Sequence, residues 1–265
     1  MSESIRAVDR ALDILLCFTN QTPQLTMTQI AEQVGMNKST VHRLLGTLER
    51  RRFVQRNPTT GYYQLGIRLL QMAYLTLEHN DIRRYAGPYL RRLCEQHRET
   101  ITFSTLDDAD VVFLDVIESP QRVKLAASTG QRMPAFSTAA GKAILAHLPN
   151  DMVMRILERG MPQFTQSTIL SKEALLVNLE LIRQQGFSIS MQEYEDGINA
   201  VAAPVLNAEG FPIAAITVAG PAYRLTKGLM LEIGPSVLET SRMIAQEIEI
   251  ARGSEINAPF NNHNP

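Results

Sequence analysis

Lys38, Ser39 and Thr40 are followed by Arg43 and then by Arg50, Arg51, Arg52 and Arg56. One ammonium, two hydroxyls and a run of guanidinium groups make the donor set of a polyanion site. Guanidinium forks match phosphate oxygens and the O6/N7 edge of guanine, and a helix N-terminus adds free N–H groups and a positive dipole end. That chemistry holds a phosphodiester; it does not break one. Catalytic patterns are missing. The five histidines, His42, His79, His97, His147 and His263, include no pair at i, i+3 or i+4, and no HExxH, GxSxG or GxxxxGK[ST] occurs. Residues 137–142, STAAGK, lack the first glycine and the following Ser/Thr of a phosphate loop. The two cysteines, Cys17 and Cys94, have no metal-ligand spacing and read as small hydrophobes in a reducing compartment. No metal and no cofactor is implied.

The cations need a helix to hold them. With Val41 at the centre of a helical wheel, Leu44, Leu45 and Leu48 cluster beside it. Ser39, Arg43, Gly46 and Arg50 fall opposite, flanked by His42 and Thr47. Gly46 costs about 1 kcal/mol against alanine in an exposed helix interior, which fits close approach of another backbone. Upstream, Ile5, Val8, Leu12, Leu15 and Leu16 place a first helix as far as Phe18. Thr28 is the expected cap of a second helix with Ile30, Ala31 and Val34 inward. Gly35 ends it and Asn37 caps the third, to about Arg51. Two short strands follow, 53–55 and 62–65, around the turn 57–61. Ala31, Gly35 and Val41 have the spacing of a helix-turn-helix: small at the crossing, glycine at the turn, valine locking the second helix. Ser39 and Arg43 then lie nearest the bases, with Lys38, Thr40, Arg50 and Arg56 on the backbone. His42, Thr28 and the wing's Tyr62 complete the DNA-contact set, and Tyr63 joins it as a wing contact.

Residues 1–57 carry eight Lys/Arg and five Asp/Glu, and the other 208 carry 18 and 22, so a net +3 segment precedes a net −4 body. Residues 67–79 are apolar on two sides, with Ile67, Leu70, Tyr74 and Leu77 on one and Leu69, Met72 and Ala73 on the other. A linker helix of that kind is buried twice, as in self-association. Helices are expected over 82–97, 138–148, 151–159, 171–185 and 226–252, the last kinked or restarted at Pro235. Strands are expected over 100–106, 111–118, 123–127, 200–206 and 211–219. The fold class is α+β: an antiparallel sheet with helices packed on it. The boundaries are 1–66 for the winged helix-turn-helix, 67–80 for the linker, 81–252 for the second domain and 253–265 for a disordered tail. The N-terminus lacks a signal-peptide core and no apolar run reaches a membrane span, so a cytoplasmic protein is expected.

The runs RAVDRALDILLCF, LTMTQIAEQVGMNKSTVHRLLGTLERRRFVQRN, GYYQLGIRLLQMA, GQRMPAFSTAAGKAILA and EDGINAVAAPVLNAEGFPIAAITVAGP resemble the IclR family of bacterial transcription regulators over about residues 5–252. The resemblance implies a winged helix-turn-helix, a linker helix and a GAF-like effector-binding domain. It implies a homodimer or homotetramer on double-stranded operator DNA, responsive to a small organic acid. A repressor of a catabolic operon is the leading form, and an activator is the alternative. An enzyme with an accessory domain, or a winged helix used for protein or RNA contact, is the rival class.

The resemblance also places an effector pocket. Matching by motif gives Ala139, Ala140 and Gly141, then Ser190, Ala200, Thr217 and Ala219, with Leu125, Met133 and Met191 as apolar walls. The residues after Thr138 carry no bulk, so a carboxylate can approach their N–H groups. Ser190, Ala200 and Ala219 stand where more polar residues are frequent in the family, which favours an effector with an apolar part, such as an aromatic acid. Glu193, Glu195 and Asp196 read as solvated loop carboxylates or an ion-pair cluster.

Overall fold

Four helices and a two-stranded ribbon are described in the first of two compact units, Met1–Asp81 and Ile82–Pro265. The computed structural model describes residues 4–19, 21–79 and 82–256. In the first unit α1 (Arg6–Leu16), α2 (Met27–Gln33) and α3 (Lys38–Arg50) precede β1 (Val54–Arg56), β2 (Tyr63–Leu65) and α4 (Ile67–His79). Their shared core is Ile14, Leu25, Ile30, Ala31, Val41, Leu45, Val54 and Tyr63. Gly35 takes φ +62° between α2 and α3, a left-handed turn that costs glycine least.

The cap of α2 is Thr26, not Thr28. Thr26 is extended, its Oγ1 accepts from the Gln29 N–H at 3.3 Å, and Gln29 Oε1 accepts from the Thr26 N–H at 2.8 Å. This reciprocal box satisfies two donors that a helix start leaves unpaired, whereas Thr28 already lies within the first turn. Thr26→Ala is expected to cost about 1 kcal/mol of stability, read as a lower urea midpoint at unchanged slope. An unchanged midpoint would mean the box stabilises nothing.

The sequence stripe of α1 divides differently from expectation. Ile14 occupies the core position, while Ile5, Val8, Leu12 and Leu16 are each more than half exposed. In α4, Ile67 and Leu70 are likewise exposed. The side chains of Tyr74 and Leu77 lie outside the described residues.

The second unit is a six-stranded antiparallel sheet in the order β5-β4-β3-β8-β7-β6. Its strands are β3 (Thr100–Asp107), β4 (Asp110–Ile117), β5 (Arg132–Pro134), β6 (Ser188–Met191), β7 (Ile198–Leu206) and β8 (Pro212–Pro221). α5 (Ile82–His97) and α9 (Lys227–Ile256) cover one face; α6 (Ala139–Leu145), α7 (Asn150–Leu157) and α8 (Lys172–Gln185) belong to the core on the other. The period of two sorts the side chains. Ile101, Phe103, Val201, Val205, Ile216 and Val218 point towards α5 and α9, and Thr102, Ala200, Ala202, Thr217 and Ala219 towards α6. Large residues on one face and small ones on the other leave space on the second.

Residues 123–127 are not a strand: the Val123 carbonyl accepts from the Arg224 guanidinium at 2.9 Å and the Leu125 carbonyl from Thr100 Oγ1 at 3.4 Å, so side chains replace the ladder. The edge strand is β5 instead. α9 runs unbroken through Pro235 and on to Ile256, past the expected start of a tail at Gly253. The rest of that tail, 257–265, lies outside the described residues. β6 was not foreseen, because its four residues are shorter than any clear alternation.

Candidate functional site

α3 buries Val41 and Leu45 and turns the opposite side out. Asn37 Oδ1 accepts from the Thr40 N–H at 2.9 Å and from Ser39 Oγ at 3.0 Å, so the cap also positions the Ser39 hydroxyl. Lys38, Ser39, His42, Arg43 and Arg50 are exposed and Thr40 is half-buried, so one helix presents them together. Among the described residues no carboxylate pairs with Arg43 or Arg50. Thr47 Oγ1 donates to the Arg43 carbonyl at 3.0 Å and accepts from the Arg50 guanidinium at 3.3 Å. Arg56 and Tyr62 are exposed on the ribbon; Thr28 is half-buried on α2. Tyr63, expected as a wing contact, is instead core, with the Arg56 guanidinium 5.7 Å from its ring centre.

The second unit holds a cavity of about 60 Å³ between the small-residue face of the sheet and the start of α6. Leu125, Met133, Ala139, Ala140, Ser190, Ala200, Thr217 and Ala219 all line it, from six separate segments. Strand register explains the convergence: Ser190 pairs with Ala200 and Ala200 with Ala219, one row across three strands. Two expected members stand elsewhere. Gly141 faces the backbone of Ala135, where any Cβ would collide, so it is glycine for packing. Met191 points outward, since one step along β6 reverses the face. The N–H of Gly141 is also taken, by Thr138 Oγ1 at 3.2 Å, which narrows the expected backbone route for a carboxylate.

Thr102, Phe113, Ser137, Thr138, Tyr194, Glu195 and Ile198 also line the cavity and went unnamed as a site from the sequence. The alternation in TITFS, 100–104, was the available signal for Thr102. The Thr217 hydroxyl is buried in this lining without a hydrogen-bond partner. No Lys, Arg or His is among the lining residues.

A buried ion pair fixes the rim. Lys142 on α6 is 1% exposed; its Nζ donates to the Ile189 carbonyl at 2.8 Å and pairs with Glu193. Burial pushes the Lys142 ammonium down and the Glu193 carboxyl up, and each partner opposes the shift of the other. Glu193 is thus no solvated loop carboxylate, although Glu195 and Asp196 are exposed. Thr165 Oγ1 donates to the Gln192 carbonyl at 2.6 Å and Thr168 Oγ1 to the Glu193 carbonyl at 2.7 Å. The Phe164 ring lies 4.9 Å from Tyr194. The segment that carries Ser190, Tyr194 and Glu195 is therefore clamped from two sides. Opposite it, Arg224 holds Glu99 at 2.5 and 2.8 Å as well as the Val123 carbonyl, which anchors the stretch leading to Leu125. Among the described residues no cluster of three or more His, Cys, Asp or Glu is placed to hold a metal, and no helix is long and apolar enough to cross a membrane.

Two family descriptions match this chain: an IclR helix-turn-helix domain over residues 7–58, and a bacterial transcriptional regulator IclR C-terminal domain over 74–246. The HTH-type transcriptional regulator XynR of Escherichia coli K12 is 35% identical over 214 residues, covering 80% of this chain and 85% of that one. The transcriptional repressor IclR of the same organism is 28% identical over 252 residues, 94% and 90% of the two chains. Among solved structures, an IclR homologue from Microbacterium hydrocarbonoxydans, complexed with 4-hydroxybenzoate, superposes with a TM-score of 0.81 at 22% identity, over 92% of this chain and 99% of the other. That last likeness is one of fold.

Proposed function

The chain belongs to the IclR family of transcriptional regulators and is not an enzyme; from that premise we propose that it is a cytoplasmic repressor of a catabolic operon, released or retained on its operator by a small organic acid. One observation carries the DNA half: α3 buries Val41 and Leu45 while Arg43 and Arg50 stand outward with no carboxylate pairing them among the described residues. A solvated structural face would mix signs, whereas a face left cationic suits phosphate and base edges. In this reading Ser39 and Arg43 meet bases. Lys38, Thr40, His42, Arg50, Arg56, Tyr62 and Thr28 serve backbone or register. Residues 1–66 form the DNA-binding domain, 67–80 the linker and 81–252 the effector domain.

The protein acts as a dimer or a pair of dimers. The exposed apolar stripe of α1 and the exposed Ile67 and Leu70 of α4 support this, since a monomer would leave both in water. Two recognition helices then read two half-sites.

The effector occupies the cavity between α6 and the sheet. Its apolar lining favours a ligand with an apolar body, such as an aromatic acid, and the unpartnered Thr217 hydroxyl gives it one hydrogen bond. An apolar cavity of about 150 Å³ takes a benzene ring. The cavity here is smaller, so an aromatic ligand must part the lining to enter. Binding is thereby unequal between two conformations, the condition for a ligand to shift DNA affinity.

The test is duplex binding with genomic fragments, at two salt concentrations and with excess nonspecific competitor, followed by titration with aromatic, sugar and hydroxy acids. Salt-sensitive, competitor-resistant binding that an aromatic acid alters is the expected result. Complete loss to competitor across all genomic fragments would sink the regulator reading, and a response confined to sugar or hydroxy acids would sink the aromatic one.

A further inference from the structure

α1 runs beside α3, and the two helices enclose an open groove on the same side as the outward face of α3. Ala7 and Arg10 form one wall. His42, Arg43 and Arg50 come from the other, and Gly46 lies between. No carboxylate lines it. Asp9 and Asp13 share α1 with Arg10, yet no ion pair joins either to Arg10 among the described residues. On the helical wheel of α1, Arg10 lies near Ile14, which is buried against the core, so its guanidinium starts from the α3 side and not from the exposed Ile5–Leu16 stripe.

Gly46 sharpens the point. A Cβ added there would meet nothing within 4 Å, so no neighbour in the chain requires glycine at this helix-interior position. Its smallness is left for something outside the chain. With Arg10 on one wall, Arg50 on the other, no acid and a bare backbone stretch, the groove fits a chain of phosphodiesters, whose oxygens accept from one fork after another, Arg43 being left to the bases.

We propose that the groove between α1 and α3 seats the operator's sugar-phosphate backbone, and that Arg10 of α1 is a phosphate contact, so that the DNA interface extends beyond the helix-turn-helix pair and its wing. This rests on the reading of α3 as the recognition helix. Arg10 positions the duplex without reading its sequence.

The full-length protein would be titrated over a salt series with two duplexes: one of mixed sequence, and the genomic fragment it retains best under competitor. Each phosphate neutralised contributes about 0.9 to the slope of log K against log salt. Arg10→Gln is expected to lower the slope by about that amount on both duplexes, leaving their affinity ratio unchanged. Arg10→Lys is expected to keep the slope, because a point charge serves a phosphate. The thermal midpoints of both variants should equal that of the parent. An unchanged slope in Arg10→Gln, with a reduced slope in Arg50→Gln, overturns the inference and leaves the α3 reading intact. Unchanged slopes in both overturn the α3 reading as well. Loss of folding in Arg10→Gln would make Arg10 a packing residue and also overturn the proposal.

Discussion

Replacing Lys142 by Met is expected to remove about 3–5 kcal/mol of stability, because it leaves the Glu193 carboxylate buried without its counter-charge. Lys142 is 1% exposed, and the remaining Glu193 oxygen, Oε2, already lacks a hydrogen-bond partner. A loss of that size is a large share of the roughly 5–15 kcal/mol that holds a typical protein folded. The double variant Lys142→Met with Glu193→Leu is expected to regain most of it, since an apolar pair of similar volume removes both desolvation costs. The coupling between the two is then read from a double-mutant cycle. A single variant as stable as the parent would show that the pair carries no stability.

The sign of the pH dependence follows from the same burial. Burial holds the folded-state pKa of Glu193 above its unfolded value, and Lys142 opposes that rise. Without Lys142 the rise is unopposed. A carboxyl raised on folding contributes stability that is complete below its unfolded pKa, about 4.3, and is lost as pH climbs through the folded value. Lys142→Met should therefore be penalised least near pH 4 and most near pH 8, measured by urea unfolding at both. An equal penalty at the two pH values would place the damage in packing and not in charge.

Periodicity made the first unit readable. Val41, Leu44, Leu45 and Leu48 recur at helical spacing, and Gly35 and Asn37 mark a turn and a cap by their own chemistry, so α3 emerged with its faces assigned. Thr26 was passed over for Thr28 because both are threonines before an apolar run; only Gln29, three residues after Thr26, distinguishes them. In α1 the stripe Ile5, Val8, Leu12, Leu15 and Leu16 reads as the inward face, and nothing local tells that Ile14, outside it, goes inward and Leu12 outward. The cavity was partly legible because the small residues after Thr138 and along two strands could be matched to a family pattern. Met191 failed on register, which one residue reverses. Lys142 and Glu193 lie 51 residues apart, and no local pattern joins them. The available signal was a single cation inside the apolar run AAGKAILA, which demands a buried partner.

Arg43→Ala is expected to weaken binding to the best-retained genomic fragment by about 1–3 kcal/mol, roughly 5- to 150-fold, and to relax selectivity. Val41 and Leu45 fix α3 against the core, so Arg43 projects from the far side with Ser39 one turn before it and Gly46 and Arg50 after it. No carboxylate among the described residues holds the Arg43 guanidinium back, and its removal exposes no buried group, so the thermal midpoint should stay within the small range of surface substitutions. Binding to a mixed-sequence duplex should fall far less than binding to the selected fragment, because the fork reads a guanine edge through two parallel hydrogen bonds. Arg43→Lys should not restore selectivity, since a point charge lacks that fork, whereas the same exchange at Arg10 is expected to be tolerated. The contrast separates a residue that reads from a residue that positions. Wild-type affinity and selectivity in Arg43→Ala would mean that another face of the protein recognises the operator.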